Sequence, residues 1–170
     1  MRKTYGNTWW GKQWLRTLQN IDDANRLPRG RTYANTGRVS TIDVSDHQVF
    51  AKVQGRRPRP YAVSIQLEPF TEQEKNQLLD SLIKRPFLLT QLLSREIPQG
   101  LAQLCDQLGI SLFPENWGDV EGECSCPDWA VPCKHLAAVL YLIANEIDNQ
   151  PLLLFELRGL DLLGELAKRG

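Results

Sequence analysis

The chain has 170 residues, 42% of them hydrophobic, with 20 Lys and Arg against 20 Asp and Glu. No stretch reaches the ~18–20 apolar residues of a membrane span, and Met1-Arg2-Lys3-Thr4-Tyr5-Gly6 lacks the apolar run of a signal peptide; a cytoplasmic protein of one domain or two small ones, without membrane contact, is expected. The net charge of zero conceals a division: residues 1–60 carry 12 Lys and Arg with 4 Asp and Glu, or +8, whereas residues 61–170 carry 8 and 16, or −8. Either the halves attract each other inside one fold, or the basic half faces phosphates and the acidic half faces elsewhere.

Thr8 is a fitting N-cap for a short helix from Trp9 to Leu18. Trp10, Trp14 and Leu18 recur at i, i+4 and i+8, one apolar stripe that fits a core anchor better than a platform for bases. Trp9 lies off the stripe and is the tryptophan expected to be exposed. Asp22-Asp23 reads as a solvated turn. Pro28 and Gly30 then argue for an ordered loop over Asn25–Tyr33. Its arginines, Arg26, Arg29 and Arg31, suit phosphate, the alternative being pairs with acids from the other half.

Strands follow. Val39–Val44 alternates, Ser45-Asp46-His47 makes a hairpin turn, and Gln48–Val53 returns with Val49, Ala51 and Val53 on one face. A second basic turn, with Arg56, Arg57 and Arg59, leads into Tyr61–Leu67, where Tyr61, Val63, Ile65 and Leu67 share a face. This is an antiparallel meander with one apolar side. If both arginine loops emerge on one edge, six guanidinium groups line one surface and give a salt-dependent grip on phosphates with little base specificity.

From Thr71 the pattern turns helical. Thr71 and Glu74 form a capping box, Leu78, Leu79, Leu82 and Ile83 make an apolar face, and Pro86 ends the run. Leucine-rich helical segments over Phe87–Ser94 and Leu101–Leu108 come next. Cys105 lies among Leu101, Leu104 and Leu108 and reads as a buried small hydrophobe. A strand over Asp119–Cys124 leads to Cys124-Ser125-Cys126, and six residues later to Cys133-Lys134-His135. Three thiols and one imidazole in twelve residues suit a tetrahedral structural zinc site. A disulfide is the poorer reading, because Cys124 and Cys126 are too close to bridge easily and a third thiol is left over. With four protein ligands no position stays open for water, so the site reads as structural. Leu136–Ile147 continues as a helix docking on the hairpin, and Asp161 caps a last segment, Leu162–Lys168.

The spacing Cys-x-Cys followed by Cys-x-His resembles the SWIM zinc finger. Three further blocks, Thr8–Trp14, Arg26–Ala34 and Val53–Tyr61, are similar to those of bacterial SWIM zinc finger proteins found beside Snf2-type helicases. The resemblance implies a zinc-dependent module that binds nucleic acid or protein. The expected fold is α+β, a basic β-rich region over 1–70 and a helical region over 71–170 with a ββα-like finger at about 115–148, or one integrated domain. The expected metal ligands are Cys124, Cys126, Cys133 and His135; the expected nucleic-acid contacts are Arg26, Arg29, Arg31, Arg56, Arg57 and Arg59. Glu115, Asp119, Glu121 and Glu123, just before the ligands, argue against the finger as a phosphate grip. An adaptor using the acidic Leu-rich half to hold a protein partner is the alternative. No Walker loop, nucleophile elbow or His-Glu-x-x-His run points to an enzyme or a small-molecule substrate.

Overall fold

The computed structural model describes residues 4–19, 26–115, 117–127 and 133–169, without the side chains of residues 17–19 and 26. The expected turn at Asp22-Asp23 therefore lies outside those described. So does the side chain of Leu18. Among the described residues no helix is long and apolar enough to cross a membrane.

The fold is α+β. Strands β1 (Val39–Ser45), β2 (Gln48–Val53), β3 (Tyr61–Leu67) and β4 (Val120–Cys124) form one antiparallel sheet in the order β1-β2-β3-β4. Alternation buries Val49, Ala51, Val53, Tyr61, Val63, Ile65 and Leu67 on one face. In β1 the register shifts between Val39 and Thr41, which returns Val39 to the side of Ile42 and Val44. This bulge breaks the simple alternation expected there. Asp46 and His47 turn the hairpin with positive φ of 50° and 57°.

β4 does not belong to a separate finger hairpin. It pairs with β3, Val63 opposite Cys124 and Leu67 opposite Val120. Helix α6 (Lys134–Asn149) then returns across the apolar face against β1, β3 and β4. A helix covered on one side only would show one apolar stripe; α6 is buried from His135 to Leu140 and at Ile143, Ala144 and Ile147. Its outer side is covered by α1 (Trp9–Gln19) and α2 (Arg26–Asn35).

Trp10 and Trp14 are core residues, and their indole N–H groups donate to α6 carbonyls, Ile147 at 2.8 Å and Leu140 at 3.1 Å. Trp9, expected outside, is half-buried: it packs on the core and donates to Ile97 O at 2.9 Å. Thr8 caps α1 through the Gly11 N–H at 3.0 Å, and Asp148 at the end of α6 accepts from the N–H groups of Asn7 and Thr8 at 2.7 and 3.1 Å.

Arg26–Asn35 is a helix, which corrects the expected loop. Pro28 falls in the first turn of the described helix, where its absent N–H removes no intrahelical bond. Gly30 answers to packing: a Cβ there would lie 2.5 Å from the Ala137 Cβ and 3.0 Å from the Lys134 carbonyl oxygen. The glycine thus lets α2 and α6 approach closely.

The second half adds α3 (Glu72–Ile83), α4 (Pro86–Leu93), α5 (Gln99–Leu108), α7 (Leu153–Leu157) and α8 (Leu162–Arg169). The Thr71–Glu74 capping box is formed at both bonds. Pro86 opens α4 rather than merely ending α3. Asp161 accepts from the Gly164 N–H at 3.2 Å. Arg158 ties this layer to the sheet: Nε donates to Glu68 O at 2.6 Å, Nη1 to Ser111 O at 2.6 Å, and the guanidinium lies 4.3 Å from the Phe70 ring centre.

Candidate metal centre

Cys124 closes β4, Cys126 follows in the bend beyond it, Cys133 is the N-cap of α6 and His135 lies in its first turn. β4 therefore ends at Cys124, as expected, and Cys126 lies beyond it. The four donor atoms nevertheless lie within 4.8 Å of one another. His135 Nδ1 is 3.7 Å from Cys124 Sγ and 3.8 Å from Cys133 Sγ. Tetrahedral zinc with Zn–S of about 2.3 Å and Zn–N of about 2.0–2.1 Å needs S···N separations of about 3.6 Å. None of the four cysteines is in a disulfide. Donor type, number and spacing thus fit a closed structural zinc site.

The surroundings favour charged sulfur. The Leu136 N–H donates to Cys133 Sγ at 3.4 Å, at the positive end of α6. Cys133 is held down to about 4, first by the hydrogen bond with Cys124, against burial, then by His135 and the Leu136 N–H. Cys124 is pushed far up by that same bond with Cys133 and by burial. Zinc takes cysteine as thiolate, so binding here releases protons.

With Nδ1 toward the sulfurs, the other ring nitrogen of His135 is buried and has no hydrogen-bond partner among the described residues. It sits in an aromatic slot. The Tyr61 ring centre is 4.6 Å from that of His135 and the Tyr33 centre 5.4 Å. Gly55 closes the slot, since a Cβ there would lie 2.5 Å from the Tyr61 ring and 3.5 Å from His135 Nε2. A zinc-bound histidine is usually oriented by a partner on its second nitrogen; ring packing holds this one.

Cations surround the slot. Arg57 lies 4.3 Å over the Tyr61 ring, and Arg38 and Lys134 each lie 5.5 Å from the Tyr33 ring centre. The two basic segments are joined by the Gln54 N–H donating to Arg38 O at 2.7 Å and by the Gln54 side chain donating to Arg57 O. Arg56, Arg57 and Arg59 are exposed. Arg29, also exposed, is one helical turn before Tyr33 and shares its flank of α2. Arg31 occupies the other flank, close enough to Tyr5 and Tyr141 to influence both hydroxyls. The six expected arginines therefore do not form one set, and the side chain of Arg26 is outside the described residues. Arg38 and Lys134 were not anticipated; their one signal was position, Arg38 just before the first strand and Lys134 between two ligands.

The acids before the ligands point elsewhere. Glu121 and Glu123 are exposed and pair in register with Gln66 and Ser64, on the sheet face opposite the apolar one that receives Cys124 and α6. Sheet alternation separates them from the cations around His135.

Residues 107–144 match the family model described as the SWIM zinc finger. The chain carries a SWIM zinc finger. It is also 39% identical over 169 residues to Uncharacterized protein Rv2102 of Mycobacterium tuberculosis, an alignment covering 98% of this chain and 61% of that protein. The chain thus spans about three-fifths of the length of this relative. No solved structure matches it. In this chain the matched segment is part of a larger core: β4 belongs to the common sheet and α6 is buried from His135 to Leu140 and at Ile143, Ala144 and Ile147.

One thiol stands apart. Cys105 in α5 is 2% exposed, and burial pushes it up to about 12. At about pH 8 only about one such thiol in 10,000 is ionised, and the thiolate is the reactive form. After chelation, maleimide at about pH 8 should label the half-buried Cys126 in native buffer and leave Cys105 untouched until denaturant is added. Mass spectrometry counts the adducts; four labels at one rate in native buffer would contradict this.

Proposed function

We propose that this chain is a zinc-stabilised module that binds nucleic acid through its basic side, with little sequence preference. The observation that carries the reading is the gathering of Arg38, Arg57 and Lys134 around the zinc-ligand slot, while Glu121 and Glu123 lie on the opposite sheet face. Cations held on one side give a sequence-tolerant grip on phosphates. The same reading makes the chain non-catalytic and cytoplasmic, without a small-molecule substrate. The resemblance noted from sequence extends it to an accessory of a Snf2-type helicase or other nucleic-acid machinery.

The test is fluorescence anisotropy with labelled oligonucleotides across a salt series. If these three cations meet phosphates of a single strand, log K should fall with log salt at a slope near −2, from about 0.7 per contact. Absence of salt-dependent binding to DNA or RNA removes the reading.

A second reading, a protein-interaction adaptor, draws on apolar residues exposed in the second half, Phe87 at 77% and Leu93 at 57%. Capture of a protein that survives high salt and nuclease, with no nucleic-acid binding, would favour it.

A further inference from the structure

We infer that the ligand of the basic side is a single-stranded nucleic acid, with an unpaired base stacked on Arg57 and phosphates held by Arg38 and Lys134. The inference rests on the nucleic-acid reading above and adds the site and the strand state. Three observations lead to it.

The first is the chain of contacts His135–Tyr61–Arg57. Ring centres of His135 and Tyr61 are 4.6 Å apart with planes tilted by 35°, and the Arg57 guanidinium carbon lies 4.3 Å from the Tyr61 ring centre. Tyr61 and His135 are buried, whereas Arg57 is exposed. One side of a planar cation is thus covered by a buried ring, and the other is available to a flat π-system. Bases of a single strand offer such faces, and those of a duplex are already occupied by their neighbours.

The second is the pair of cations on Tyr33. Arg38 and Lys134 approach the same partly buried ring, each at 5.5 Å, from the β1 side and from the first turn of α6. Two cations at one ring supply charge for phosphate near His135, which Tyr33 and Tyr61 both contact. The Gln54 N–H bond to Arg38 O at 2.7 Å and the Gln54 side-chain bond to Arg57 O keep the two parts in register.

The third is chemical selection. α6 is buried from His135 to Leu140 and cannot enter a groove there, and the exposed side of α2 shows Pro28, Arg29, Arg31 and Thr32. A duplex offers Arg57 no open base face. A single strand uses both the face of Arg57 and the charges.

The test compares one sequence as a single strand and as a duplex, by anisotropy at fixed salt, with zinc content and melting temperature measured for each variant. Wild type should hold the single strand at least about 10-fold tighter. Arg57→Ala should weaken single-strand binding about 5- to 100-fold, the range of losing one stacked base. Arg57→Lys keeps the charge without the planar face; it should retain the salt slope yet remain several-fold weaker than wild type. Arg38→Ala with Lys134→Ala should flatten the slope by about 1.4, two contacts at about 0.7 each. Arg31→Ala, on the other flank of α2, should change affinity less than twofold. Equal duplex and single-strand affinity, or full affinity in Arg57→Ala with zinc retained, overturns the inference while leaving nucleic-acid binding in place. Binding of a protein but of neither nucleic acid overturns both.

Discussion

Cys133→Ser should abolish one-to-one zinc binding and lower the melting temperature by about 8–16 °C relative to the zinc-loaded protein. The size follows from mass action: free zinc at about 1,000 times its dissociation constant stabilises the native state by about 4 kcal/mol, and each kcal/mol moves a chain of this size by about 2–4 °C. Cys133 is the ligand to remove because it does two things at once. It is 1% exposed among the other donors, and its sulfur accepts the Leu136 N–H that starts α6. Serine keeps a cap for that N–H but supplies a poor zinc ligand, so the helix start is spared and the metal is lost. The fold as a whole should persist, in contrast to isolated zinc-finger peptides, which are unfolded without metal. Val120 on β4 and Leu136, Ala137 and Ala138 on α6 are buried independently of the ion. Differential scanning calorimetry with zinc and with chelator checks both points. A chelated wild type melting with the loaded protein would show that the metal adds nothing.

Gly30→Ala should destabilise the protein by about 1–3 kcal/mol, although alanine favours helices by about 1 kcal/mol over glycine. Helix propensity and packing oppose each other here, and distance decides between them. The added methyl would stand 2.5 Å from the Ala137 Cβ and 3.0 Å from the Lys134 carbonyl oxygen. Neither neighbour is the end of a flexible side chain, so α2 must lift from α6. Tyr33 travels with α2, and it forms one wall of the His135 slot at a centre distance of 5.4 Å. The same variant should therefore also weaken zinc retention in competition with a chelator. Combining Gly30→Ala with Ala137→Gly should recover part of the loss, and a double-mutant cycle from denaturant melts gives a coupling of about 0.5–3 kcal/mol. Additive losses would place the clash elsewhere.

The meeting of Cys124, Cys126, Cys133 and His135 was legible because it is local: four donors fall within twelve residues, and their types alone select the ion. The three consecutive strands, the Thr71 cap and the buried Cys105 were legible for the same reason. The misreadings share a different cause. Pro28 and Gly30 look like a loop in isolation, and only the close crossing with Ala137 explains a glycine inside a helix. β4 pairs with a strand more than fifty residues earlier in the chain, so nothing nearby marks it as the fourth strand of the sheet rather than half of a small hairpin. The cation cluster was half-seen, since arginine counts locate charge in sequence but not around an axis. Helical geometry sends Arg31 away from Arg29, and tertiary contact brings in Arg38 and Lys134.

The placement of α6 bears on how the chain is made. Trp14 donates to Leu140 across 126 residues, and Trp10 to Ile147 across 137. During synthesis at about 5–20 residues per second, Trp14 precedes its acceptor by roughly 6–25 s. For that interval two tryptophans have no helix to bury them, and loop closure over so long a separation is slow. Until α6 emerges, the growing polypeptide thus leaves the apolar stripe of α1 without the surface that buries it.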